Sequence, residues 1–135
     1  MKTTAAGLVV ADATYLPFRG EVFDAVFLVH VAGHLPEAGR RGMVSEVLRL
    51  LRPGGIVFFR AFSVEDLRAG EGEEVEPQTF RRGGGIITHY FTETGAEELF
   101  ASFIPIEIRT HRWQMRVRGR DLPRAEVEAV FQKRA

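Results

Sequence analysis

The chain has 135 residues, 45% apolar and 27% charged, with 18 Lys and Arg balancing 18 Asp and Glu and no cysteine. That is room for one ordinary globular domain, 1–135. It excludes disulfides, thiolate metal sites and cysteine nucleophiles, and zero net charge gives no bulk attraction to nucleic acid or anionic lipid. No apolar run is long enough to span a bilayer and no signal-peptide core follows Met1, so a cytoplasmic protein is expected.

Gly7 to Ala13 reads as a short apolar strand ending at Asp12, and Thr14 to Glu21 as a loop with Pro17 and Gly20. Val22 to Val31 is almost wholly apolar, as a strand buried on both faces requires. It runs into His30-Val31-Ala32-Gly33-His34. Met43, Val47, Leu50 and Leu51 recur at helical spacing, which predicts an amphipathic helix over Arg40 to Leu51. Arg52-Pro53-Gly54-Gly55 stops it, because proline pushes its predecessor out of helical geometry and glycine turns freely. Ile56 to Phe59 is the next strand. Strand, crossover helix and strand make a right-handed parallel βαβ unit.

Residues 62–85 read as a long polar, glycine-rich loop or lid, with Ala69 to Glu76 as a solvated patch and Val64 to Leu67 as a helical turn. Ile86 to Phe91 alternates as a short strand. Thr92 is a suitable N-cap for a helix over Ala96 to Phe103. Pro105 to Val117 reads as a long strand and Gly119 to Pro123 as a turn. In the tail, Ala and Glu favour helix, whereas Val127, Ala129 and Phe131 alternate as a strand would. Charge is uneven: residues 101–135 carry 8 Lys and Arg against 4 acids.

VVADATYLPFRGEVFDAVFLVHV followed by EVLRLLRPGGIVFF resembles the class I S-adenosylmethionine-dependent methyltransferases, and the likeness covers essentially the whole chain. It implies a Rossmann-like α/β sheet with an antiparallel last strand, assigned here to Glu126–Lys133, and S-adenosylmethionine as cofactor. It also implies methyl transfer to a small molecule. Asp12 would accept from the adenine amino group, Ala13 would offer its amide, and His30 would contact the cofactor. Family members open with a strand and an acidic-x-Gly-x-Gly-x-Gly loop, then a second strand ending in an acid that holds the ribose. Neither stretch occurs here. The expectation is a domain truncated at its N-terminus, two strands short, with half the cofactor pocket missing. The strand at Phe23 to Val31 would then have an open apolar edge. Leu8 to Asp12 moves in beside it, or a second copy or another chain completes the sheet. A homodimer is expected, and the alternative to an active enzyme is a non-catalytic remnant that binds a partner.

Each candidate has a plainer reading. Asp12 would equally start an Asx-turn. His30 and His34 stand at a crevice mouth where acceptors are met, or simply pack under the loop and cap a turn. No acidic third ligand accompanies them, so no metal site is expected. Arg81, His89 and Tyr90 are the candidate acceptor contacts, on a lid that also carries Glu73, Glu76 and Arg82. Gly83-Gly84-Gly85 lacks the strand, helix and Lys-Ser/Thr of a phosphate loop. Arg109, Arg112, Arg116, Arg118 and Arg120 around Trp113 hint at RNA, but read more simply as the charged face of a sheet edge, so nucleic acid is not expected as a partner. No catalytic side chain is required, because the sulfonium is already activated and the protein supplies alignment.

Overall fold

The computed structural model describes residues 10–135. A four-stranded sheet in the order β1-β2-β7-β6 forms its centre. The strands are β1 (Phe23–Val29), β2 (Leu51–Phe62), β6 (Ile104–Val117) and β7 (Arg120–Gln132). β1 and β2 are parallel and joined by helix α1 (Glu37–Leu50); β7 is antiparallel to both β2 and β6. β7 lies between β2 and β6, so the βαβ unit and the antiparallel last strand both stand as read.

One face of the sheet is packed. Leu28, Val57, Phe59, Ala61, Val127, Ala129 and Phe131 meet Met43, Val44 and Val47 of α1, with Ala96, Phe100 and Phe103 from the α2 region. The other face is uncovered among the described residues. There Phe27 and Phe58 stack at 4.7 Å yet stay 67% and 38% exposed. An open groove of about 250 Å³ runs beside them past Val29, Arg60, Arg109 and Glu128.

Helix α1 begins three residues earlier than periodicity predicts, at Glu37, and its signal lies in a distant residue. Pro36 has no capping side chain, and the Glu76 carboxylate accepts from the Glu37 amide instead (3.1 and 3.4 Å). At the other end the Lys133 ammonium donates to the Leu48 and Leu51 carbonyls at 2.7 Å. Gly54 turns at φ +83°, and a Cβ on Gly55 would sit 2.9 Å from the Arg52 carbonyl. These two glycines lie in the irregular stretch of β2 between Leu51 and Ile56, where its register with β1 shifts.

Three expectations are corrected. The stretch 62–85 is not one long loop. It carries β3 (Glu73–Glu76) and β4 (Thr79–Arg81), which join β5 (Ile87–His89) in a separate antiparallel sheet. Helix α2 (Glu93–Leu99) has the Thr92 cap, its hydroxyl accepting from Gly95, but ends before Phe103. Turns beyond Leu99 let Phe100 and Phe103 both turn into the core against Phe131. Finally, Val10 and Ala11 are not in a strand, and Asp12 to Tyr15 is a tight turn. The earlier part of that expected strand lies outside the described residues. Val10 to Asp12 do not pair with β1, whose outer edge is unpartnered among the described residues.

Candidate functional site at the strand ends

In an open α/β sheet, ligands meet the crevice outside the carboxyl ends of parallel strands. Here that rim is made by the ends of β1 and β2. His30 leaves β1 in the left-handed region at φ +57°, with its amide donating to the Arg60 carbonyl. The turn swings its ring onto Phe62, the last residue of β2, at 4.5 Å between centroids. Its Nε2 lies 2.6 Å from Oε2 of Glu126, a buried β7 residue that also faces Arg60 at 3.7 Å. A neutral ring that donates Nε2–H to the carboxylate would keep Nδ1 as its acceptor nitrogen. This pair was not foreseen: Glu126 is remote in sequence and reaches His30 only because β7 lies against β2.

Asp12 and Ala13 sit in the turn before β1. Asp12 Oδ1 accepts from the Thr14 amide (2.8 Å) and hydroxyl (2.6 Å), and the hydroxyl first, then the amide, hold its carboxyl below the usual range. This is the Asx-turn geometry. It occupies one oxygen; Oδ2 carries no bond from the described residues. The turn is seated on α1. The Leu16 amide donates to Glu46 at 2.7 Å, and Arg49 donates to the Phe18 and Leu16 carbonyls. Glu46, gripped by Arg49 and by that amide, is held down to about 2.

The remaining candidates lie on and beside the small β3-β4-β5 sheet. His34 Nδ1 is 3.0 Å from the Ile87 carbonyl, which places His34 as a brace between the turn after β1 and β5. His89 Nδ1 is 2.8 Å from the hydroxyl of fully buried Thr79. Burial, and then the nearby Arg40 guanidinium, push His89 down to about 4, so it is neutral at pH 7. Arg40 is itself buried, donating to the Leu35 carbonyl at 2.7 Å and facing Glu76 at 3.7 Å. Tyr90 is buried near Phe80, which raises its phenol, and Arg81 is exposed opposite Glu73. The seven candidates thus fall into a rim group at His30, a lid group at His34 and His89, and a separate turn at Asp12 and Ala13. Tyr90 is packed away, and Arg81 lies on the outside of the small sheet.

Parallel strands joined through a helix, then an antiparallel hairpin inserted beside the second strand, define the class I methyltransferase architecture. Comparison with known proteins agrees. Residues 1–59 match the methyltransferase domain family. A methyltransferase from Methanosarcina mazei described as S-adenosylmethionine-dependent superposes with a TM-score of 0.74 at 23% identity, over 93% of this chain and 66% of that one. The 1,6-didemethyltoxoflavin-N1-methyltransferase of Burkholderia thailandensis, solved with its substrate and S-adenosylhomocysteine, gives 0.68 at 16% identity, over 94% and 50%. In sequence the chain is 27% identical over 92 residues to the tRNA N(3)-cytidine methyltransferase of Gallus gallus, spanning 66% of this chain and 25% of that protein. The chain has the fold of the class I S-adenosylmethionine-dependent methyltransferases, and its first 59 residues are similar to the methyltransferase domain family. It spans about a quarter of the length of the curated relatives it matches.

Proposed function

We propose that this chain serves methyl transfer from S-adenosylmethionine, with the acceptor presented at the rim formed by β1 and β2. The observation that carries the reading is His30 at the carboxyl end of a parallel strand, fixed between Phe62 and Glu126. The residues present fit the adenine end of the cofactor: Asp12 has a carboxylate oxygen to spare, and Ala13 an adjacent amide. When bound, the cofactor supplies an activated methyl group. The chain's own task is to orient the acceptor, and His30 is the candidate to take its proton. The small-molecule acceptor expected from sequence finds support in the toxoflavin enzyme; the tRNA-modifying relative supports a different acceptor, taken up below.

A second copy of the chain is proposed to complete the open β1 edge. β1 carries a single charge, Asp24, and neither proline nor lysine, the usual protections of an exposed edge. Antiparallel pairing of two β1 strands separates the two Asp24 residues, whereas in-register parallel pairing would set them side by side.

Calorimetric titration with S-adenosylmethionine and S-adenosylhomocysteine tests the reading. Micromolar binding, weakened about tenfold by Asp12→Ala, is the expected result, since one charge-assisted hydrogen bond is worth about 1.5 kcal/mol. Absence of heat up to millimolar ligand would leave the chain as a partner-binding module of methyltransferase ancestry.

A further inference from the structure

The β6–β7 hairpin is longer than the sheet it belongs to. β2 pairs with β7 only from Gln132 to Glu126, ending at Phe62, while β6 and β7 pair on to Val117 and Arg120. The pairs from Arg112–Ala125 outward therefore extend the hairpin to about 20 Å beyond the last β2 rung at the usual strand rise. They project on the side where β1 and β2 end. The arm is braced, not loose. Asp66 accepts from Arg124 (2.8 Å) and the Ala125 amide (3.0 Å), and the Leu67 amide donates to the Pro123 carbonyl. Its tip turns at Arg118 and Gly119, both with positive φ.

Cross-strand pairing puts Phe62, Glu126 and His111 on one face, and Trp113 and Arg124 on that same face one step further out. Their side chains form a chain of contacts, of which His111 on Trp113 is stacked. His30 lies 4.5 Å from Phe62, the Arg124 guanidinium lies 5.2 Å from Phe62 and 5.7 Å from Trp113, and Trp113 lies 5.1 Å from His111 at an interplanar angle of 25°. These contacts begin at the rim and end in solvent, at the exposed ring of His111. Residues 109–124 contain six arginines against Asp121 alone. Arg109, Arg112 and Arg116 are held by Glu128, Glu65 and Asp121. Among the described residues Arg118 and Arg120, at the tip, take part in no ion pair.

Exposed stacked rings, with two guanidinium groups free of ion pairs about 20 Å further along the same arm, are the chemistry that receives an unpaired nucleobase and the phosphates a few nucleotides away. We propose that the β6–β7 arm binds single-stranded RNA: one base extends the stack on His111, phosphates meet Arg118 and Arg120, and a neighbouring base is delivered toward His30. This names the acceptor class for the methyl-transfer reading and rests on that reading for the word acceptor; the binding surface itself does not.

Trp113 is the only tryptophan in the chain, so its fluorescence reports directly on the arm. The test titrates the chain with an oligouridylate of about 12 nucleotides, a length suited to such surfaces. Uridine monophosphate and a duplex RNA of equal length are titrated beside it. Saturable quenching by the single strand is expected, with log K falling against log salt by about 0.7 per phosphate neutralised. His111→Ala should weaken binding about tenfold with little change in salt slope. Arg118→Glu with Arg120→Glu should weaken it and flatten the slope by one to two contacts (about 0.7 to 1.4). No quenching up to about 1 mM strand by a chain with unchanged circular dichroism would overturn the proposal, as would equal binding of duplex, or unaltered binding by both variants. S-adenosylhomocysteine titration on the same preparation separates the two readings. RNA binding without cofactor binding keeps the arm and removes methyl transfer; the reverse removes the arm.

Discussion

At the scale of single residues the chain's chemistry lies in its histidines. His89 is held neutral by burial first and by Arg40 second, at about 4 against an ordinary 6.5. The unfolded chain therefore binds the extra proton between those values and the folded chain does not. Stability rises with pH through this window, is fully present above about pH 6.5, and is lost as the pH falls through about 4. With allowance for the partly exposed ring, the loss amounts to about 1–2 kcal/mol. Melting temperatures from pH 7 to pH 4 should fall less steeply in His89→Gln than in the unaltered chain; parallel curves would show that His89 is not the group responsible. His89 was legible as a lid residue, yet its partner Thr79 and its charge state were not, because burial belongs to the fold. Asp12 is the opposite case. Its turn involves neighbours two and three positions away, so the Asx-turn was readable locally. The His30–Glu126 pair joins distant positions through a sheet and left no local trace.

At the scale of elements, the small sheet β3-β4-β5 is tied to α1 through one carboxylate. Glu76 takes the first amide of the helix and faces the buried Arg40 guanidinium. Replacing Glu76 with Ala removes a partner of the helix start and leaves a buried cation less compensated, at a cost of about 1–2 kcal/mol. Amide exchange should quicken across 73–90 and in the first turn of α1, while Glu76→Gln, which keeps an acceptor, should fall between. Equal protection in all three would show that the lid is held by other contacts. The β1–α1–β2 unit was plain from periodicity because each piece is long enough to show its period. Strands of four and three residues are too short for that, and the charges of Glu73, Glu74 and Glu76 disguised β3 as solvated loop. β7 was read six residues short because Pro123 breaks a strand pattern. Here Pro123 lies in the projecting arm, paired with Gln114 and beyond the last β2 rung, where the absence of an amide proton is tolerated.

At the scale of the whole molecule, the sheet is finished on one side and unfinished on the other. α1 and the α2 region seal one face, and β6, the other edge strand, is guarded by charged residues such as Arg109 and Arg112. Opposite, β1 offers backbone groups that are unpaired among the described residues and a row of apolar side chains, Phe27 at 67% and Val29 at 50% exposure. Water solvates such an edge, but a second strand gives the backbone partners and covers the rings at once. Two copies meeting antiparallel along β1 would form a continuous eight-stranded sheet, the Phe27–Phe58 stacks of both on one face. This pairing would leave the arm carrying Trp113 free, since it projects from the far end of the β7–β6 hairpin. Sedimentation at micromolar concentration should therefore give a dimer that Phe27→Glu converts to monomer, while the response of Trp113 to RNA persists. A monomeric unaltered chain would remove the second copy as the occupant of β1 and assign that edge to a strand of another protein or of a longer chain. Loss of the RNA response in the Phe27→Glu monomer would instead mean that the arm binds only across two copies, and that the two surfaces are one device.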